Sequence, residues 1–389
     1  MTTRADPARP TGLILAGGQS RRMRGAMPAA QPDKSFADLA GTPLLGHVVQ
    51  RLAPQAGQLV LNANGNPARF ASFGMPVIAD SIPDFAGPLA GILAGLQWSR
   101  AHAPSATNLV SVSTDVPFLP HDLVAKLQAA LAGTRAPIAI ARSRSGLHPV
   151  IGLWSIALAE DLAASLDAGT RKVQDWTARH DAIPVDFPDI LIKGRAVDPF
   201  FNTNTPQDLT EARALLAAAP VIGIAGWKNS GKTTLAVRLI EDFTRRGLKV
   251  ATIKRTHHDA VAAEAETTDT ARHRRAGAAN VILVSPHRWG PVHALSEESD
   301  PRLEDVLARL TGCDLVVVEG WKSAPIAKIE VRRAAQADHR PLAPGDPNII
   351  AIASDHRSEH SHPPHFALDD TSAIADFVAN RLGLGPRAT

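Results

Sequence analysis

Two short apolar strands each run straight into a glycine-rich turn, one near the start of the chain and one past its middle. Thr11 to Leu15 leads into Ala16-Gly17-Gly18-Gln19-Ser20-Arg21-Arg22-Met23, and Val221 to Ala225 leads into Gly226-Trp227-Lys228-Asn229-Ser230-Gly231-Lys232-Thr233-Thr234. A turn of this kind lets backbone N–H groups close on a phosphate, and the strand behind it holds the turn at the end of a sheet. Two such turns of different sequence require two strand ends, and 389 residues exceed one ordinary core. The expected fold is therefore two α/β units, each with its own nucleotide site.

Short apolar runs and longer amphipathic ones alternate through both halves, the pattern of a mainly parallel sheet covered on both faces. In the first half the strands expected are Gly12 to Ala16, Leu59 to Asn62, Val77 to Ala79, Leu109 to Ser113 and Ile138 to Arg142. Helices are expected at Leu44 to Leu52, Leu89 to Arg100, His121 to Leu131 and Ile156 to Leu166, with a further one from Pro206 to about Ala218 closing that half. The alternation restarts at Val221, with strands near Val250, Val281, Leu315, Ile329 and Ile349 and helices after Lys232 and from Ala373. Ligands of such sheets gather at the carboxyl ends of the strands, where Gly17, Asn62, Asp80 and Asp115 fall.

The chain carries 41 basic and 38 acidic residues, a net charge of +3, with no basic block, so nucleic acid is not the expected partner. Cys313 is the single cysteine and can form no intrachain disulfide, which suits a reducing compartment and gives a cytoplasmic expectation. No apolar run reaches the ~20 residues of a membrane span, and Arg4, Asp6 and Arg9 precede no apolar leader segment. Asp355 to His365 holds four histidines and two prolines, and without ligands at fixed spacing on a scaffold it reads as a solvated loop.

Gly226 to Thr233 matches G-x-x-x-x-G-K-[ST] between a strand and a helix. Its glycines let the N–H groups around Asn229 and Ser230 turn inward, Lys232 gives a point charge to the β and γ oxygens, and the Thr233 hydroxyl completes a Mg²⁺ shell beside Thr234. A second acidic group is expected at a neighbouring strand tip, and Leu315-Val316-Val317-Val318-Glu319 offers Glu319. No N-K-x-D string reads guanine, so the base is not fixed by motif.

The first loop lacks that lysine closure and must work otherwise. Gly17 and Gly18 allow close backbone approach, Arg21 and Arg22 add charge, and Lys34 of Pro32-Asp33-Lys34 can reach the same anion. Asn108 to Ser113 reads as a buried strand delivering Asp115 to its tip, which makes this a nucleotide and Mg²⁺ site.

On these residues the first half resembles the molybdenum cofactor guanylyltransferase (MobA) family. The resemblance runs through L-A-G-G-x-S-x-R-M, the following D-K, V-I-A-D at Val77 to Asp80, G-P-L-A-G at Gly87 to Gly91, T-D-V-P-F-L-P at Thr114 to Pro120, H-P at His148-Pro149 and N-T-N-T-P at Asn202 to Pro206. The second half resembles the molybdopterin-guanine dinucleotide biosynthesis adaptor (MobB) family through its phosphate loop, I-K-x-T-H-H-D after Ile253, R-R-A-G-A at Arg274 to Ala278, V-E-G-W-K at Val318 to Lys322 and I-A-K-I at Ile326 to Ile329. The resemblance implies two three-layer domains, a Rossmann-like nucleotidyltransferase over residues 1–216 and a P-loop NTPase-like domain over 217–389. It implies GTP contacts from Leu15, Ala16, Gly17, Lys34, Asn62, Asp80 and Asp115, with Mg²⁺ on Asp115, and pterin-side contacts from Asn202 and Asn204.

The implied reaction is transfer of GMP from GTP to molybdenum-bearing molybdopterin. The nearest alternative is a cytidylyltransferase for the same pterin. The second half would be either a weak GTPase or a GTP-binding adaptor that delivers pterin. An upstream molybdenum-insertion enzyme and recipient molybdoenzymes are the implied protein partners, with room for an oligomer formed through the second half. One departure from the family is the Pro/Ala-rich insertion Arg24 to Pro32 between R-M and D-K.

Overall fold

The computed structural model describes residues 9–16, 33–82, 87–255, 269–285, 288–289, 293–294, 302–336, 340–356 and 362–385. Two compact units emerge: Met1–Ile190 with Val197–Ala214, and Leu191–Ala196 with Leu215–Thr389. No helix among the described residues is long and apolar enough to cross a membrane.

The first unit runs β1 (Thr11–Leu15), a short ladder β2 (Asp38–Leu39) and β3 (Thr42–Pro43), α1 (Leu44–Leu52), β4 (Leu59–Asn62), β5 (Val77–Ile78) and α2 (Pro88–His102). It continues with β6 (Asn108–Ser113), α3 (Leu123–Leu131), β7 (Ile138–Ser143), β8 (Gly146–Ser155), α4 (Ala159–Asp167), α5 (Val173–Ala178) and β9 (Ile183–Asp186). The strands order β5-β4-β1-β6-β8-β7-β9. β1 is parallel to β4 and β6, whereas β8 is antiparallel to both its neighbours.

Strand periodicity sorts the core into two layers. Ile14, Val110 and Val112 face Leu45, Val48 and Leu52 of α1 and Leu123 and Leu127 of α3. Leu13, Leu15 and Leu109 face the Leu89, Ile92, Leu93 and Leu96 ridge of α2, with Trp154 and Trp176 beyond. Gly91 lets α2 sit close: a Cβ there would stand 2.4 Å from Asn62 Oδ1 and 2.7 Å from a Leu15 methyl.

β8 has no counterpart in the sequence reading. Its first half, Gly146 to Val150, is partly exposed and contains Pro149, which donates no ladder bond, and the β7–β8 pairing shifts register between Ile140 and Arg142.

The second unit includes most of a hairpin from earlier in the chain, β10 (Ile190–Ile192) and β11 (Arg195–Val197), which precedes α6 (Pro206–Ala217). Val221 N–H donates to Lys193 O at 3.0 Å, and Ala327 N–H to Gly194 O at 2.7 Å. The chain then forms β12 (Val221–Ala225), α7 (Lys232–Arg245), β13 (Val250–Arg255), α8 (Asp269–Arg275), β14 (Asn280–Ser285), β15 (Arg288–Trp289) and β16 (His293–Ala294). After these come α9 (Leu303–Leu307), β17 (Leu315–Glu319), β18 (Lys328–Arg332), β19 (Ile349–Ser354), β20 (His365–Ala367) and α10 (Thr371–Leu382).

The order is β16-β15-β14-β13-β17-β12-β18-β19-β20, parallel from β14 through β20. Leu235, Leu239, Ile240 and Phe243 of α7 and Ile374, Val378 and Leu382 of α10 cover one face. Leu303, Val306 and Trp321 cover the other against Val316, Val318 and Ile253. The chain leaves β12 for one side of the sheet and later returns to fill the other, so β12 ends at a switch point where a crevice opens.

Candidate functional site

In the first unit three distant segments meet beyond the tip of β6. Asp33 caps a short 3₁₀ turn, accepting from Ser35 N–H at 2.9 Å, and so presents Lys34. Lys34 Nζ lies 2.5 Å from Asp115 Oδ2 and 2.9 Å from Asn204 Oδ1. Asp115 is 5% exposed, and among the described residues its Oδ1 is buried without a hydrogen bond. Thr203 fixes the backbone there, donating to Asp115 O through N–H at 2.8 Å and Oγ1 at 2.9 Å. Asp208 holds the Asn204 end by accepting from the Asn204 and Thr205 N–H groups at 2.9 and 2.8 Å.

A second cluster lies at the tips of β4 and β5. Asn62 Nδ2 donates to Asp80 Oδ1 at 3.0 Å, and Asn64 Nδ2 donates to Asp80 Oδ2 at 2.8 Å. Ala16 N–H donates to Asn62 O at 2.9 Å, tying this cluster to the end of β1, where Leu15 is buried. Asn202 is exposed, apart from the Lys34 cluster. Gly17, Gly18, Arg21, Arg22 and the insertion Arg24 to Pro32 lie outside the described residues.

His148, quoted in the sequence without a role, stands in a network of its own. Its Nε2 is 2.8 Å from Ser143 Oγ, which donates to Asp198 Oδ2 at 2.8 Å, and its ring packs 4.6 Å from Phe200. Burial lowers the His148 pKa, partly offset by Asp198. Burial alone would raise the Asp198 carboxyl, but the Phe200 N–H, the Ser143 and Ser145 hydroxyls and His148 together hold it below its ordinary value.

In the second unit the loop 226–233 turns through left-handed backbone at Gly226 (φ 149°), Asn229 (φ 62°) and Gly231 (φ 98°). A side chain at Gly226 would strike Ser230 Oγ and Val331 O, at 2.6 and 2.7 Å. Lys232 Nζ donates to Trp227 O at 2.6 Å, curling over its own loop. Thr233 Oγ1 donates to Glu319 Oε1 at 2.8 Å, and Lys254 Nζ is 3.4 Å from both. Among the described residues Glu319 Oε2 is buried without a hydrogen bond, 3.7 Å from His273 Nε2. Thr234 follows in the first turn of α7. The sequence reading singled out Thr233 and Glu319. It gave no role to Lys254, which the pairing of β13 with β17 brings beside Glu319, or to His273 of α8. The polar cluster Thr256 to Asp259 lies outside the described residues.

Fold and sites thus define a protein of two nucleotide-handling units, one with a lysine–carboxylate pair beyond the tip of the central strand of a mixed sheet and one with a phosphate loop. Residues 12–183 match the MobA-like NTP transferase domain, and residues 221–355 match the molybdopterin guanine dinucleotide synthesis protein B family. A molybdenum cofactor guanylyltransferase of Bradyrhizobium sp. (strain ORS 278) is 50% identical over 218 residues, covering 56% of this chain and 97% of that protein. One from Cereibacter sphaeroides is 46% identical over 205 residues, covering 53% and 96%. The chain belongs to the molybdenum cofactor guanylyltransferase family. Among solved structures, molybdopterin-guanine dinucleotide biosynthesis protein A of Archaeoglobus fulgidus is 21% identical with a TM-score of 0.40, covering 53% of this chain and 97% of that one. A MobB protein homolog from Bacillus stearothermophilus is 27% identical with a TM-score of 0.27, covering 42% and 97%.

Proposed function

We propose that the first unit transfers GMP from GTP to molybdenum-bearing molybdopterin, forming the guanine dinucleotide cofactor, and that the second unit binds GTP and assists. The observation that carries this reading is the Lys34–Asp115–Asn204 constellation, with one Asp115 oxygen on the lysine and the other buried without a donor among the described residues. In the reaction the terminal phosphate of the pterin attacks the α-phosphorus of GTP and pyrophosphate leaves. That phosphate is already ionised at neutral pH, so no general base is needed, and in-line positioning and charge neutralisation supply the rate.

A Mg²⁺ ion fits beside Asp115, because the orphaned Oδ1 suits a metal usually held by one or two carboxylates and substrate phosphates. Bound there, the ion would offset charge on the phosphates. Asp115 then has two duties, holding the metal through Oδ1 and keeping Lys34 in place through Oδ2. Lys34 stands where its charge can shift from Asp115 to the triphosphate, and Asn202, two residues before Asn204 in the same loop, would contact the pterin side. Asn62 and Asp80 would hold the nucleoside end, with Leu15, Ala16, Gly17, Gly18 and Arg22 around the phosphates.

The second unit supports a GTP site with Lys232 on the phosphates and Thr233 and Glu319 about a metal, acting as an adaptor that receives pterin from the molybdenum-insertion step. We place the division between the two activities at residues 216 and 217. The test is Asp115→Asn in the full chain, assayed for label from α-labelled GTP entering molybdenum-loaded pterin. Product should vanish with the melting curve unchanged, and wild-type turnover would remove Asp115 from the reaction.

A further inference from the structure

A cavity of about 560 Å³ opens beside the phosphate loop of the second unit, a size that fits a nucleoside. Gly231 and Leu235 of the loop and α7 form one wall, Arg333 follows β18, Asp355 stands at the tip of β19, and Leu368 and Asp369 follow β20. A phosphate held by the turn 226–233 would point its sugar and base along the sheet toward these last strands.

Two groups in the wall are set for a ligand. The guanidinium of Arg333 reaches the loop, its Nε 3.1 Å from where a Gly231 Cβ would stand, and that Nε is buried without a hydrogen bond among the described residues. Asp355 is anchored through one oxygen: Oδ1 accepts from Ala334 N–H at 2.7 Å and faces His356 Nδ1 at 3.0 Å. Its side chain is 40% exposed on the cavity rim, and among the described residues Oδ2 has no hydrogen bond. Hydrogen bonds from His356 and Ala334 N–H hold its carboxyl below the usual range, so it is a pure acceptor at neutral pH.

We infer that this cavity is the base pocket of the second unit and that Asp355 selects guanine, a step that rests on reading residues 226–233 as a nucleotide phosphate loop. The outward Oδ2 can only accept, and guanine presents two donors side by side to it, N1–H and N2–H₂. Adenine and cytosine each place a bare acceptor nitrogen on that edge, and xanthine replaces the 2-amino group with an oxygen, so all three would confront the carboxylate with lone pairs. Arg333 lies between the phosphate loop and the base pocket and covers the sugar-phosphate junction.

The test counts nucleotide equivalents bound by the full chain in calorimetric titrations, since the first unit binds GTP as well. Wild type should bind one more equivalent of GTP than Lys232→Ala. Asp355→Asn should lose affinity for that equivalent by about tenfold or more and gain about as much for xanthosine triphosphate, because the carboxamide keeps its oxygen on Ala334 N–H and turns its NH₂ to the base, where it meets the donors of guanine but donates to the 2-oxygen of xanthine. That gain should disappear in the double variant Asp355→Asn, Lys232→Ala. An Asp355→Asn protein with unchanged GTP affinity, or with GTP lost and no xanthosine triphosphate gained, would overturn the base-reading role alone. Equal GTP counts for wild type and Lys232→Ala would instead overturn the phosphate-loop reading beneath it.

Discussion

Lys34 and Asp115 are 81 residues apart in sequence, yet they form the tightest polar contact at the site, 2.5 Å between side chains only 16% and 7% exposed. Removing such a preorganised charge costs about 3–4 kcal/mol of transition-state stabilisation. Lys34→Ala should therefore lower kcat for GMP transfer by about 10² to 10³, and a loss under fivefold would mean that another cation serves the phosphates. The pair was legible because Asp-Lys and Thr-Asp-Val-Pro are local strings. Asn64 and Ser143 were not, since each matters only through folding neighbours.

His148 makes a pH prediction at the same scale. Its folded pKa lies below the ordinary 6.5, so below that pH the unfolded chain takes up the proton first and stability falls. Thermal melts between pH 7.5 and 5.5 should show that loss, and His148→Gln should make it shallower. His365, also lowered by burial, adds a slope of the same sign, so the difference between variant and wild type is the quantity to read. Identical slopes would exclude His148 as a source.

Among the elements, helix α1 and strands β4, β12 and β17 lie where the apolar runs place them, because each is buried along a continuous face and ends at a turn residue. β8 escaped notice because Gly146, His148 and Pro149 break the pattern in its partly exposed first half. The β10–β11 hairpin did too, because three-residue strands carry too few side chains to show a period.

Helix α2 carries a prediction of its own. Its approach to β1 and β4 depends on Gly91, and a methyl there would push on Asn62, which orients Asp80. Gly91→Ala should raise the KM for GTP by about tenfold and cost about 1–3 kcal/mol in a denaturation curve. An unchanged KM would separate Asn62 from nucleotide binding.

For the molecule as a whole, each unit closes its own core on both faces of its own sheet. Two separate cores make the two nucleotide sites separable in function. The sequence announced both through their glycine turns, because a phosphate loop is contiguous. The base pocket behind the second loop was silent, since Arg333 and Asp355 come from the tips of different strands.

The central claim is that the first unit alone performs the chemistry, and the most direct measurement is a matched transfer assay on the full chain with pre-loaded molybdenum-molybdopterin. Wild type, Lys232→Ala and Asp115→Asn would each be given labelled GTP or CTP. Label from GTP should enter the pterin at nearly equal rates with wild type and Lys232→Ala, and should be absent with Asp115→Asn. Preferential incorporation from CTP, or loss of transfer in Lys232→Ala as complete as in Asp115→Asn, would contradict the account.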